Sequence, residues 1–97
     1  MKRYQPKDSD STSLLRIARM HRGLSQRDLA SESGIGQVTI SHVESGRQMP
    51  HLSTQKLLSQ ALGYQLSDIF PPKGKRSTSK ELRKLLERDL KQRRAER

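Results

Sequence analysis

An all-α fold is predicted for this chain on three observations. Apolar residues recur at helical spacing in successive short stretches and again near the C-terminus. Gly23, Gly34, Gly46 and Gly63 each stand just past such a stretch, where a helix commonly ends. Two of the stretches are separated by only about three residues around Gly34, the spacing of a helix-turn-helix.

The first helix is expected from about Ser13 to Arg22, with Leu14, Leu15, Ile17 and Ala18 on its apolar side and Gly23 closing it. Residues 1–12 show neither period and are expected to form a flexible arm carrying Lys2, Arg3 and Lys7. The second helix, about Gln26 to Ser33, starts strongly. Ser25 is placed to cap its free amides, Asp28 lies in the first turn where an acid favours the positive helix end, and Leu24 and Leu29 stand at staple positions. The third helix begins at Gly36 and closes at Gly46. Pro50 delays the fourth, which starts at Leu52 or Ser53, ends at Leu62-Gly63 and turns Leu58, Ala61 and Leu62 inward. Ser67 is expected to cap a last short turn over Asp68-Ile69-Phe70. Residues 13–70 thus form one domain, and 71–78 read as a Pro-containing basic linker. Thr78 and Glu81 have the spacing of a capping box. They open a basic amphipathic C-terminal helix within 79–97, with Leu82, Leu85, Leu86 and Leu90 on one arc and i,i+4 charge pairs such as Arg83–Glu87 and Asp89–Arg93.

Composition narrows the function classes. The 97 residues hold 20 Lys and Arg against 10 Asp and Glu. Residues 1–70 carry nine bases and six acids; residues 71–97 carry eleven and four. Such a balance favours a polyanionic partner, nucleic acid before membrane, although a basic tail that serves only solubility is common. There is no Cys, hence neither disulfide nor thiolate metal site. No apolar run is long enough for a signal peptide or a membrane span, so a cytoplasmic, nucleoid-associated protein is expected. No P-loop, dinucleotide fingerprint or catalytic grouping is present; no catalytic residue and no cofactor are expected. His21, His42 and His51 lie in separate elements without ligand spacing, which argues against a metal.

The third helix carries the recognition chemistry. At about 100° per residue, Gln37, Val38, Ser41, His42 and Ser45 fall on one arc, and Ile40, Val43 and Glu44 on the other, with Thr39 at the seam. The first arc offers short polar groups, one methyl-bearing surface and an imidazole, with no acid. That suits base edges in a DNA major groove. Gln37 has the two-point donor and acceptor pattern that pairs with adenine, and Val38 suits a thymine methyl; taken singly, each is also an ordinary surface residue. RNA is the weaker fit, because the arc lacks aromatics for stacking.

Residues 13–70 resemble the lambdoid-repressor (Cro/C1-type, XRE) helix-turn-helix family. The resemblance rests on Gly23-Leu24-Ser25-Gln26-x-x-Leu29-Ala30, Gly34-Ile35, Ile40-Ser41-x-x-Glu44-x-Gly46 and Ala61-Leu62-Gly63. It implies a compact five-helix domain, here followed by the basic C-terminal helix, that binds operator DNA as a two-fold homodimer. By that resemblance Gln37, Val38 and His42 occupy base-reading positions, and Ser41, on the same arc, is expected to join them. Gln26, Gly36, Thr39, Arg47 and Gln48 fall at phosphate-contacting positions, with Arg27 a basic neighbour suited to the same task. Arg19 and Glu44 correspond to a structural ion pair. Gly36 replaces the usual Ser or Thr. Gln55 stands where the family prefers Leu and Leu57 where it prefers a polar residue, so the fourth helix is either rotated or turns Leu57 toward a partner. The expected role is a dimeric repressor of a palindromic operator. The alternative is an antitoxin of the HipB or HigA type that autorepresses and holds a toxin or other protein through the C-terminal helix or the Leu57 region.

Overall fold

Six helices make up the described residues, 10–72 and 75–95, of the computed structural model: α1 (Asp10–His21), α2 (Gln26–Ser33), α3 (Gln37–Glu44), α4 (Leu52–Leu62), α5 (Leu66–Ile69) and α6 (Lys80–Ala95). No strand occurs among them. α1 begins three residues earlier than expected, because its first turn, residues 10–13, is wholly polar and carries no apolar period to mark it. The remainder of the expected arm, residues 1–9, lies outside the described residues.

The core forms where the apolar stripes of all the helices converge. α1 contributes Leu14, Leu15, Ile17 and Ala18, α2 Leu29, and α3 Ile40 and Val43. Leu58 and Leu62 of α4 meet Ile69 and Phe70 at the α5 end. α4 keeps the orientation that its Leu58/Leu62 spacing dictates. Gln55 turns back to donate to the Pro50 carbonyl at 3.0 Å, and Leu57 lies on the exposed side.

The short α5 is capped earlier than expected. Its N-cap is Gln65, not Ser67, and the Gln65 amide donates to the Asp68 carboxylate at 3.1 Å. Asp68 also organises the segment leading into α6. Its carbonyl accepts from the buried Ser77 hydroxyl at 2.7 Å, and its carboxylate accepts from the Thr78 hydroxyl. With Thr78 engaged there, the cap of α6 passes to Ser79, whose hydroxyl accepts from the Leu82 amide at 3.3 Å.

Those contacts aim α6 back along α1. His21 Nε2 lies 2.9 Å from a Glu81 carboxylate oxygen, and an ion pair joins Arg16 to Asp89 at 3.3 Å. Going down α1 while going up α6, these contacts show the two helices to be antiparallel. Leu82 and Leu86 enter the core, with Leu85 packed at its edge. Leu82, Leu85 and Leu86 of the leucine arc expected to meet a protein partner therefore pack into the chain's own core beside α1, while Leu57 of α4 stays exposed. The side chains of Leu90 and Arg93 lie outside the described residues. Because Leu82 is fully buried, Leu82→Ala should lower the unfolding free energy by about 2–5 kcal/mol through lost burial and a cavity. Lys91→Ala on the exposed side of the same helix should stay within about 0.5 kcal/mol. Thermal or denaturant unfolding of the two variants checks this.

Candidate nucleic-acid interface

α2 and the turn that follows it are set by three local devices. At its start, Ser25 and Asp28 form a capping box: the Asp28 amide donates to the Ser25 hydroxyl and the Ser25 amide to the Asp28 carboxylate, both at 3.0 Å. At the far end of α2, Gly34 adopts the left-handed conformation (φ 76°) and returns its amide to the Ala30 carbonyl, a reversal that a side chain would strain. The buried Ser33 hydroxyl then accepts from the Ile35 amide at 3.2 Å, and Ile35 packs against the core.

α3 starts after Gly36, which has an extended backbone (φ −60°) that any residue adopts. A Cβ there would meet nothing closer than the Thr39 hydroxyl at 4.0 Å, so a serine would fit in its place. No side chain caps α3, and its first-turn amides have no intrahelical acceptors. Ile40 and Val43 are fully buried, whereas Gln37 is exposed and Val38 keeps 68 % of its surface in solvent. Thr39, Ser41 and His42 are partly exposed around the same face. Beyond α3 the His42 carbonyl gathers the loop, accepting from the Arg47 amide at 2.8 Å and the Ser45 hydroxyl at 3.1 Å. Arg47 and Gln48 stand exposed beside the helix end, and Arg27 is exposed on α2.

Beneath this face lies a compact polar network. The Glu44 side chain, 5 % exposed, accepts from Arg19 Nε at 2.7 Å and from Arg19 Nη2 at 3.0 Å, a two-point pair. Arg19 Nη1 also donates to the Leu24 carbonyl at 2.8 Å, so one guanidinium ties α1 to α3 and to the approach of α2. Gln26 joins the network, its Nε2 donating to Glu44 Oε1 at 3.2 Å. A carboxylate accepts only, which fixes the Gln26 amide with its NH₂ toward Glu44 and leaves its second N–H directed elsewhere. The pairing of Gln26 with Glu44 leaves no local mark in the sequence. Its partners are far apart along the chain, and only the Gln at the start of α2 hints at a role there.

Residues 15–69 match the helix-turn-helix family. The chain belongs to the Cro/C1-type helix-turn-helix family of DNA-binding transcription regulators. Comparison with curated proteins and with solved structures gave no match. The family segment ends at the close of α5, so α6 is an addition to the helix-turn-helix domain, although its leucines share that domain's core. No described helix is long and apolar enough to cross a membrane.

The network and the cap each carry an expected outcome. Glu44→Ala strands the Arg19 guanidinium in a site only 12 % exposed. It should cost about 3 kcal/mol, a Tm drop of roughly 12–24 °C for a chain of this size. At the α2 cap, the Ser25 amide foremost, then the Ser25 hydroxyl, hold the Asp28 carboxyl below the ordinary aspartate value; slight desolvation opposes this and Arg27 assists it. The cap's contribution to stability is therefore complete above the unfolded-state value of about 3.9 and is lost as pH falls through the lower folded-state value. Carboxyl-carbon NMR titration should place the Asp28 midpoint below that of free aspartate, with Ser25→Ala moving it part of the way back.

Proposed function

We propose that this regulator binds a palindromic operator in double-stranded DNA as a homodimer, with α3 of each subunit in the major groove, and represses by covering a promoter. The observation that carries the reading is the exposed face of α3. Gln37 and Val38 project from a helix whose opposite side is anchored by Ile40, Val43 and the Arg19–Glu44 pair. Gln37 pairs with adenine through two hydrogen bonds, Val38 packs on a thymine methyl, and Ser41 and His42 reach the neighbouring base edges. Gln26 donates its second amide hydrogen to a phosphate while Glu44 holds the first. Arg27, Thr39, Arg47, Gln48 and the uncapped amides after Gly36 complete the phosphate contacts, which fix register without reading sequence.

The argument for two subunits is one of length. The eight residues of α3 span about 12 Å, or roughly four base pairs at 3.4 Å each. Such a short sequence recurs by chance about every 250 base pairs, far too often for a genomic address. Two copies of α3 placed about 34 Å apart, one turn of DNA, supply the missing information.

Selection from random duplex DNA tests this directly. It should return an inverted repeat with half-sites one helical turn apart, and recovery of no preferred sequence would refute it. Within the selected site, Gln37→Ala should relax preference at one base pair per half-site, a loss of about 1–3 kcal/mol of discrimination, while the dependence on salt stays the same. Arg47→Ala should instead weaken all sequences evenly and reduce the salt slope by about 1.

A further inference from the structure

The charge on α6 is sorted by face. Of its described acids, Glu81 and Asp89 point to α1, where they meet His21 and Arg16. The cations that begin the helix point the other way. Arg76, Lys80, Arg83 and Lys84, with Glu87 the one acid among them, line an open groove of about 270 Å³. None of these four cations forms an ion pair with a described residue, and Arg83 Nε is buried without a hydrogen-bond partner among them. Lys80 and Lys84 stand at i,i+4, a like-charge spacing that destabilises a helix unless an anion is supplied. Nor is the cluster a loose tail. Leu82 and Leu86, from the same two turns, are locked in the core, and Ser77 and Thr78 are bound to Asp68.

We propose that this groove is a second DNA-backbone site, holding phosphodiester groups that α3 and its flanking residues do not touch. The regulator would then grip duplex DNA at two places, one that reads bases and one that does not. The proposal rests on the DNA-binding reading above but not on its operator or its assigned bases. The geometry serves either of two sources of phosphate. α1 packs against both α3 and α6, so the groove is joined to the reading helix through one shared helix. The phosphates come either from the flank of the bound duplex or from a second duplex segment laid along the protein.

The test uses the full chain and a duplex of random sequence about six helical turns long, with binding followed by fluorescence anisotropy across a salt series. The double variant Lys80→Gln/Lys84→Gln removes two exposed charges and keeps good helix formers. Its slope of log K against log salt should fall by about 1.8, at about 0.9 per lost phosphate contact. Glu87→Gln should act in the opposite sense and tighten binding, an outcome that misfolding cannot imitate. Preference for the selected operator over random duplex, set by Gln37, should be unchanged in both. A second label on a separate duplex distinguishes the sources: transfer between the two labelled duplexes that the double variant abolishes assigns a second segment, and its absence assigns the flank. An unchanged slope in the double variant, or weaker binding in Glu87→Gln, overturns the proposal. If Gln37→Ala still relaxes specificity in that case, the groove has failed and the reading of α3 stands.

Discussion

A guanidinium and a carboxylate decide how α3 faces the solvent. The helix is two turns long, too short to be stable or oriented on its own. Ile40 and Val43 draw it against the core, but two apolar contacts three residues apart leave it free to roll about its axis. The two-point bond between Arg19 and Glu44 removes that freedom, because both oxygens of one carboxylate must meet two nitrogens of one rigid fork. Rotation of even half a residue would break one of the two bonds and leave charge unpaired in a nearly dry site. The same carboxylate fixes Gln26, so the start of α2 and the outward face of α3 are referred to one another by a single group. On the proposed reading, in which α3 sets hydrogen-bonding groups against base edges, this angular definition matters more than affinity.

How much of the chain is legible from its sequence depends on where each residue's partner lies. Where the partner is within one turn, the reading holds: the Ser25 cap, the stop at Gly34, and the bounds of α2 and α3 all come from neighbours in sequence. The division of α3 into Ile40 and Val43 inside and Gln37 and Val38 outside is likewise arithmetic on the helical angle. Errors begin where a distant group competes for a local one. Thr78 and Glu81 have a capping spacing, but Asp68 takes the Thr78 hydroxyl and the cap moves to Ser79. Gln65 is a poor cap by residue type, which directs attention to Ser67 instead. Asp68, three residues on from Gln65, nevertheless supplies the same carboxylate bond that Asp28 supplies to Ser25. The amphipathic arc of α6 shows that a face has to be covered, while the identity of the cover, α1, is beyond the reach of periodicity.

That cover changes what α1 does. One side of it holds α3 through Arg19, and another holds α6 through Arg16, His21 and the leucines. A helix clamped between the two cannot shift toward one without loosening the other, since close-packed interiors transmit small displacements rather than absorb them. Leu82 and Leu86 of α6, outside the helix-turn-helix segment, belong to the same buried core as the apolar side of α1. α6 therefore stiffens the frame to which the Arg19–Glu44 pair is bolted.

The contact of α6 acids with His21 and Arg16 of α1 has a second effect, on the field of the molecule. Placing Glu81 and Asp89 against His21 and Arg16 withdraws negative charge from the solvent side of a helix that is mixed in composition. What remains outside is mostly positive, so a sequence of alternating signs becomes a surface of nearly one sign. These contacts are partly exposed and contribute little to stability; their larger consequence is where they leave the unpaired cations. Lys80, Arg83 and Lys84 stand on a helix whose opposite face is anchored by Leu82 and Leu86, so the backbone that carries them is fixed in place. Docking α6 thus does two things at once: it makes α1 rigid for α3, and it holds a basic face in place.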